Sequence, residues 1–286
     1  MTDLHIGPVL KREFLQGVVD RTNSLKADLV VITGDLVDGS VAKLKDEFTP
    51  FKDLKARHGV LAVTGNHEYY SGANSWIKTW EALGLTFLEN ESVLLQSKDA
   101  ALRVAGVPDR RGMKVGAREP NISRAYSTVI NYEKGMSTAI EAPHAISRDN
   151  LERMQTLDVN AKGVVGSKIG SEDNYNAAVT FKVTSSDKKA RAWRNAKTTI
   201  LLAHNPAIVK EGNLGADLVL TGHTHGGTMF FLKPLIAYFN EGFVSGMYQL
   251  SERTQLYVSN GTGIWSGFSC RILVPAQIVR FTLHKK

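Results

Sequence analysis

Five stretches of this chain run into residues that bind metal, and four of them are apolar runs that stop abruptly. They are Asp3-Leu4-His5, Val30-Val31-Ile32-Thr33-Gly34-Asp35, Leu61-Ala62-Val63-Thr64-Gly65-Asn66-His67, Ile200-Leu201-Leu202-Ala203-His204 and Leu218-Val219-Leu220-Thr221-Gly222-His223-Thr224-His225. A short, continuous apolar run suits a strand buried on both faces. An Asp, Asn or His directly after it sits at the end of a rigid sheet, where it can be held in place. Repeated with oxygen and nitrogen ligands alone, this pattern is what a two-metal hydrolase requires.

The rest of the chain narrows the class. Its 286 residues, 43% of them hydrophobic, can bury a sizeable core, and we read residues 1–286 as a single domain. The one cysteine, Cys270, excludes both a disulfide framework within the chain and a metal site built on a cysteine cluster. No apolar run approaches the roughly 18 residues of a spanning helix. The chain opens on Met1-Thr2-Asp3 without a signal-peptide pattern, so it reads as soluble as given. All of the +7 net charge falls within residues 110–197, where 16 Lys and Arg face 9 Asp and Glu. That segment has weak periodicity and reads as a basic insertion of uncertain structure: a lid, a docking surface or an unstructured tract.

Elsewhere the pattern is one of alternating helix and strand. Helices are expected over Val9–Lys26, over Leu44–Ala56 with an interruption near Pro50, and over Ser75–Leu83. Strands are expected over Ala27–Thr33, Val60–Thr64, Thr86–Leu95, Leu102–Val107, Thr198–Ala203, Ala216–Thr221, Gln255–Ser259 and Ile278–His284. Phe230–Phe239 reads as an apolar loop or short helix. Within the insertion, Asn150–Leu157 could form a helix and Ala177–Val183 a strand.

Of the eight histidines, His58, His144 and His284 read as structural; the other five lie in the strand-end motifs. In an extended backbone the side chains of Asp3 and His5 point the same way, as do those of His223 and His225, so each pair can reach one ion. Asp35 follows Gly34, which allows a tight turn, and its carboxylate can bridge two dications. Asn66 offers an amide oxygen and His204 an imidazole. Such mixed ligands without thiolate suit Mn, Fe or Zn better than Mg or Ca. Two dications against only two carboxylates leave positive charge for an anionic ester. His67, beside a ligand but not needed as one, is placed to assist a developing oxyanion or leaving oxygen.

Taken together, Asp3-x-His5, Gly34-Asp35-x-x-Asp38, Gly65-Asn66-His67-Glu68, Ala203-His204 and Gly222-His223-Thr224-His225 resemble the five blocks of the calcineurin-like metallophosphoesterases. Gly65–Tyr70, His204-Asn205-Pro206 and Gly222–Gly227 look most like the membrane-associated bacterial branch. The resemblance covers about 1–108 and 198–284. It implies an α/β fold, a four-layer αββα sandwich of two mixed sheets. It also implies two metal ions, Mn, Fe or Zn, with Asp3, His5 and His225 on one and Asn66, His204 and His223 on the other. Asp35 would bridge them and count with His67 as catalytic, while Asp38 would support its loop by hydrogen bonding and Glu68 would stand behind the ligands. The implied reaction is hydrolysis of a phosphomonoester, phosphodiester or pyrophosphate by in-line attack of a metal-bridging hydroxide. The substrate could be lipid-linked, with peripheral membrane contact through 229–239. The alternatives are an inactive scaffold of the same fold and, ranked lower, a nuclease; nucleic acid is not expected as a partner.

The chain departs from the family in a few places. A full strand precedes the Asp-x-His block in relatives, whereas here only Met1 and Thr2 do, so an upstream strand and a membrane anchor are expected to lie outside this sequence. Thr2 replaces the usual Ser and Thr228 the branch's Gln. Arg271 with Pro275-Ala276-Gln277-Ile278 replaces an Arg followed by Pro-Glu-Ile.

Overall fold

The structure, a computed structural model, describes residues 1–96, 101–133, 136–138, 158–162, 178–184 and 198–285. In chain order its strands are β1 (Val30–Thr33), β2 (Val60–Val63), β3 (Leu85–Phe87), β4 (Glu91–Gln96), β5 (Ala101–Gly106), β6 (Asn131–Glu133), β7 (Met136–Thr138), β8 (Asp158–Lys162), β9 (Ala178–Thr184), β10 (Thr198–Leu202), β11 (Leu218–Thr221), β12 (Gly246–Gln249), β13 (Gln255–Val258) and β14 (Arg280–Lys285). One sheet runs β1-β2-β3, all parallel. A second runs β12-β13-β11-β10-β5-β4, parallel at its centre with antiparallel strands at both edges.

Alternation along the strands builds four layers. On β2, Val60 and Ala62 face a cluster containing Leu15, Phe48, Trp76 and Trp80 from the outer helices, while Leu61 and Val63 face the other sheet. On β10 and β11, Ile200, Leu202, Leu218 and Leu220 join that inter-sheet core. Leu201 and Val219 point outward against Ala125, Tyr126 and Ile208. The expected αββα sandwich is therefore realised, with period-2 strands buried on both faces.

Several expectations change in detail. The helix expected over Leu44–Ala56 is a single α-turn, Val41–Leu44, followed by a 3₁₀ segment, Lys45–Asp53, because Pro50 lacks the N–H that an α-helix would use. The strand expected over Thr86–Leu95 is two, β3 and β4. Asn90 breaks it with φ 65°, and its side chain bonds Asn121 N and Glu119 O. Part of the presumed insertion belongs to the body: helices Arg111–Lys114 and Ile122–Ser127 fall within it, and the buried Tyr126 donates its hydroxyl to Leu214 O. β9 matches the strand expected over Ala177–Val183 and pairs with β14 and β8. The helix expected over Asn150–Leu157 lies outside the described residues.

The opening residues, too few for a full strand, are nevertheless bound on both sides. Met1 N donates to Val31 O, Thr33 N to Met1 O and Asp3 N to Gly34 O, while Thr262 N and Gly263 N donate to Thr2 O and Asp3 O. Behind them lies a cavity of about 870 Å³, lined by residues that include Met1, Val31, Ile200, Tyr257 and Phe281. None of the candidate ligands lines it.

Candidate metal centre

The ends of β1, β2, β10 and β11 open onto one site, together with Asp3-Leu4-His5. Asp3, His5 and His225 bring ligand atoms within 4.8 Å of one another; so do Asp35, His204 and His223, and so do His5, Asp35 and His67. Asp35 stands between the groups, its Oδ2 3.0 Å from His204 Nε2 and 3.7 Å from His5 Nε2. Five of these residues have left-handed backbone: Asp3 (φ 53°), His5 (48°), Asp35 (54°), His223 (72°) and His225 (50°). Each costs about 1–2 kcal/mol of backbone strain for a residue with a Cβ, which the surrounding packing must offset.

Hydrogen bonds fix how the imidazoles face. Thr33 O can only accept, so His204 Nδ1, 2.7 Å away, donates and leaves Nε2 as the ligand atom. Asp38 Oδ1 does the same for His5 Nδ1 at 2.9 Å. The freed nitrogens then crowd together, with His5 Nε2 3.0 Å from His225 Nε2 and His204 Nε2 3.2 Å from His223 Nδ1. Neutral lone pairs repel at such distances unless a proton or cation lies between them. The Oδ1 of Asn66 is buried with no hydrogen-bond partner. An acceptor orphaned in this way, beside crowded nitrogens and carboxylates, fits divalent metal ions.

Glu68, fully buried, is the bracket behind the site. It accepts from Gly65 N (2.6 Å), Leu36 N (2.7 Å) and Asp35 N (3.0 Å), tying the turn after β1 to the turn after β2. Burial, then the charge of Asp35, pushes its carboxyl up to about 7. The turns also need their glycines: a Cβ on Gly34 would lie 2.5 Å from Gly65 N, and one on Gly65 2.6 Å from Asp35 N.

Asp38 takes hydrogen bonds from His5, from His67 Nδ1 at 2.6 Å and from Ser266 Oγ at 2.7 Å. Burial opposes its charge, yet these bonds hold its carboxyl well below the usual range. Burial would likewise lower His67, but the bond to Asp38 and the charges of Asp35, Asp38 and Glu68 raise it instead. Burial pushes Asp35 up, and His204 more than reverses this by charge and hydrogen bond. His204 is raised well above the ordinary value, because Asp35 outweighs burial. His225 falls to about 4, through burial and the neighbouring His5 and Arg271.

Some contributors were not anticipated. Ser266 reaches Asp38 from far along the chain, and Trp265 lies 6.0 Å from the His67 ring. Asp109, buried with Oδ2 unpartnered, acts electrostatically on His204 and His223. It follows β5 through Val107-Pro108, so the strand-end pattern could have found it. Arg271 donates to His225 O, Asn260 O and Gly263 O, bracing the last ligand turn. The departing Gln277 is buried and donates to Tyr257 Oη and Ser259 Oγ. Thr2 Oγ1 donates to Thr33 O, the carbonyl that orients His204.

The chain is 30% identical over 288 residues to a metallophosphoesterase of Helicobacter pylori, covering all of this chain and 59% of that protein. It is 27% identical over 292 residues to a transmembrane protein with metallophosphoesterase domain of Danio rerio, covering all of this chain and 52% of that one. The chain thus spans little more than half the length of these curated relatives. A similar solved structure is the phosphopantetheinyl hydrolase of Mycobacterium tuberculosis, at a TM-score of 0.39 and 12% identity, covering 90% of this chain and 86% of that one. The calcineurin-like phosphoesterase family matches residues 1–227, and the chain belongs to that family.

Proposed function

We propose that the chain is a dinuclear metal-dependent phosphoesterase. The observation that carries this is the orphaned Asn66 Oδ1 beside imidazole nitrogens crowded to 3.0 and 3.2 Å, with Asp35 between the two groups. Asp3, His5 and His225 would hold one ion, Asn66, His204 and His223 the other, and Asp35 both. Mn, Fe or Zn suit these donors. When bound, such ions supply Lewis-acid charge and a nucleophilic water at neutral pH.

The chain's own residues supply the proton chemistry. Asp38 holds His67 by Nδ1 and favours its charged form, in which an Nε2 proton is left for the leaving oxygen. Glu68 fixes the backbone of Asp35, so that its carboxylate stays in register with His204. Monoesters, diesters and pyrophosphates all offer the required in-line phosphorus. The test is metal analysis with hydrolysis of bis(p-nitrophenyl) phosphate, and His67→Ala as control. Two metal equivalents with turnover that His67→Ala removes would support the reading; metal without turnover would point to the inactive scaffold.

A separate observation favours membrane contact. Phe230, Phe231, Leu235, Tyr238 and Phe239 are exposed directly after the His225 turn, and helix Lys233–Phe239 buries none of its residues. Ile272 and Leu273, also exposed, lie alongside through the Met229–Ile272 bridge. We assign this lip to a lipid surface, which would present a lipid-linked phosphoester to the site. Co-sedimentation with anionic liposomes should be lost in Phe230→Asp/Phe231→Asp; unchanged binding would remove the assignment. Among the described residues no helix is long and apolar enough to cross a membrane.

A further inference from the structure

The segment after β5 carries three arginines, Arg110, Arg111 and Arg118. Two of them have carboxylate partners: Arg110 Nε lies 4.0 Å from Glu211, and Arg118 Nη1 3.6 Å from Glu89. Among the described residues Arg111 has none, and its Nε is buried without a hydrogen bond. A half-buried guanidinium left without a counter-charge carries a desolvation cost that a bound anion would relieve.

Its position is held from several sides. The Arg111 guanidinium carbon lies 4.8 Å from the centre of the Tyr70 ring, a cation–π contact. Tyr70 in turn meets the His67 ring edge-on at 5.3 Å. Arg111 N donates to Asp109 Oδ1 at 2.7 Å, fixing the start of the turn. Gly112 packs so tightly that a Cβ there would stand 2.6 Å from Arg118 O and 3.0 Å from Tyr69 Cζ. The loop is thus seated on helix Asn66–Ser71, the helix that carries Asn66 and His67. The two ring contacts keep the charge within one small substrate's length of His67.

We propose that Arg111, stacked on Tyr70, forms an anion subsite on the leaving-group side of the centre, and that the site takes substrates bearing a second phosphate there: diphosphates. The inference rests on the phosphoesterase reading and adds the substrate class to it. Arginine suits the task because its planar fork can stack on an aromatic face while two N–H groups meet phosphate oxygens. His67 would face the bridging oxygen, with Arg111 one phosphate further out.

The test compares ADP, as its uncleavable α,β-methylene analogue, with AMP as ligands of the metal-loaded protein by calorimetry, with bis(p-nitrophenyl) phosphate hydrolysis followed in parallel. The wild type should bind ADP on the order of tenfold tighter than AMP, the worth of one charge-assisted contact pair. Arg111→Ala should bring the ratio close to one while leaving AMP affinity within about twofold. Arg111→Lys, which keeps the charge but not the stacked fork, should recover part of the ratio. A wild-type ratio near one, or a ratio that Arg111→Ala leaves unchanged while hydrolysis persists, would overturn the subsite alone. Absence of hydrolysis in the metal-loaded wild type would instead overturn the phosphoesterase reading.

Discussion

Replacing Glu68 with alanine would remove one side chain and strand three backbone donors. Gly65 N, Leu36 N and Asp35 N all point at its carboxylate, which is fully buried. A buried N–H left without a partner costs about 1–3 kcal/mol. Three of them set a range of about 3–9 kcal/mol, and water entering the space left behind favours the low end, about 3–5 kcal/mol. Because domains are stable by only about 5–15 kcal/mol, Glu68→Ala could fail to fold. Glu68→Gln keeps one oxygen, loses one or two bonds, and should cost about 1–3 kcal/mol. Urea unfolding of chelated protein measures both, and manganese calorimetry on Glu68→Gln should reveal weakened binding, because Asp35 loses its backbone anchor. The pH dependence adds a check. With its carboxyl raised to about 7 in the fold and 4.5 as the reference, Glu68 binds more protons folded than unfolded between those values. Its stabilisation is therefore full below 4.5 and is lost as pH rises through 7. Glu68→Gln should lack that slope. A loss below about 1 kcal/mol in Glu68→Ala, or an unchanged slope in Glu68→Gln, would refute the bracket argument.

Three further outcomes are expected. Gly65→Ala should abolish metal binding by calorimetry, because the new Cβ meets the Asp35 backbone and carboxylate. Chelation should remove activity, and metal affinity should rise with pH, because a bound ion must displace the proton that Asp35 holds on the raised His204; an affinity independent of pH between 6 and 8 would count against it. His67→Ala should cut turnover about 10²–10⁴-fold with little change in metal content. Since His67 is raised, wild-type kcat at saturating metal should fall as pH climbs through the His67 value, a limb absent from the variant.

The parts of this molecule legible in the sequence were those that local pattern encodes. Apolar runs such as Leu61–Val63 and Leu218–Thr221 fix buried strands, and the residues after them converge because parallel strands end on one side. What local pattern cannot carry is the partner brought from afar. Ser266 reaches Asp38 across 228 positions, and Arg271 reaches His225 across 46. Helix Ile122–Ser127 was hidden in a polar stretch because it buries little besides Ala125 and Tyr126. Strand β12, only partly buried and Gly-led, carries almost no alternation. The split between β3 and β4 turns on one residue, Asn90, whose positive φ serves two side-chain bonds to a distant loop.

The left-handed backbones of Asp3, His5, Asp35, His223 and His225 have a consequence for anyone engineering this chain. Glycine at any of them would relieve roughly 1–2 kcal/mol of strain, of which its greater unfolded-state freedom takes back part. A library screened on melting temperature alone would therefore drift toward glycine at the residues that bind the ions. The most heat-resistant descendants would be the ones that had lost the centre, so a thermostabilisation campaign has to select on metal retention at every round.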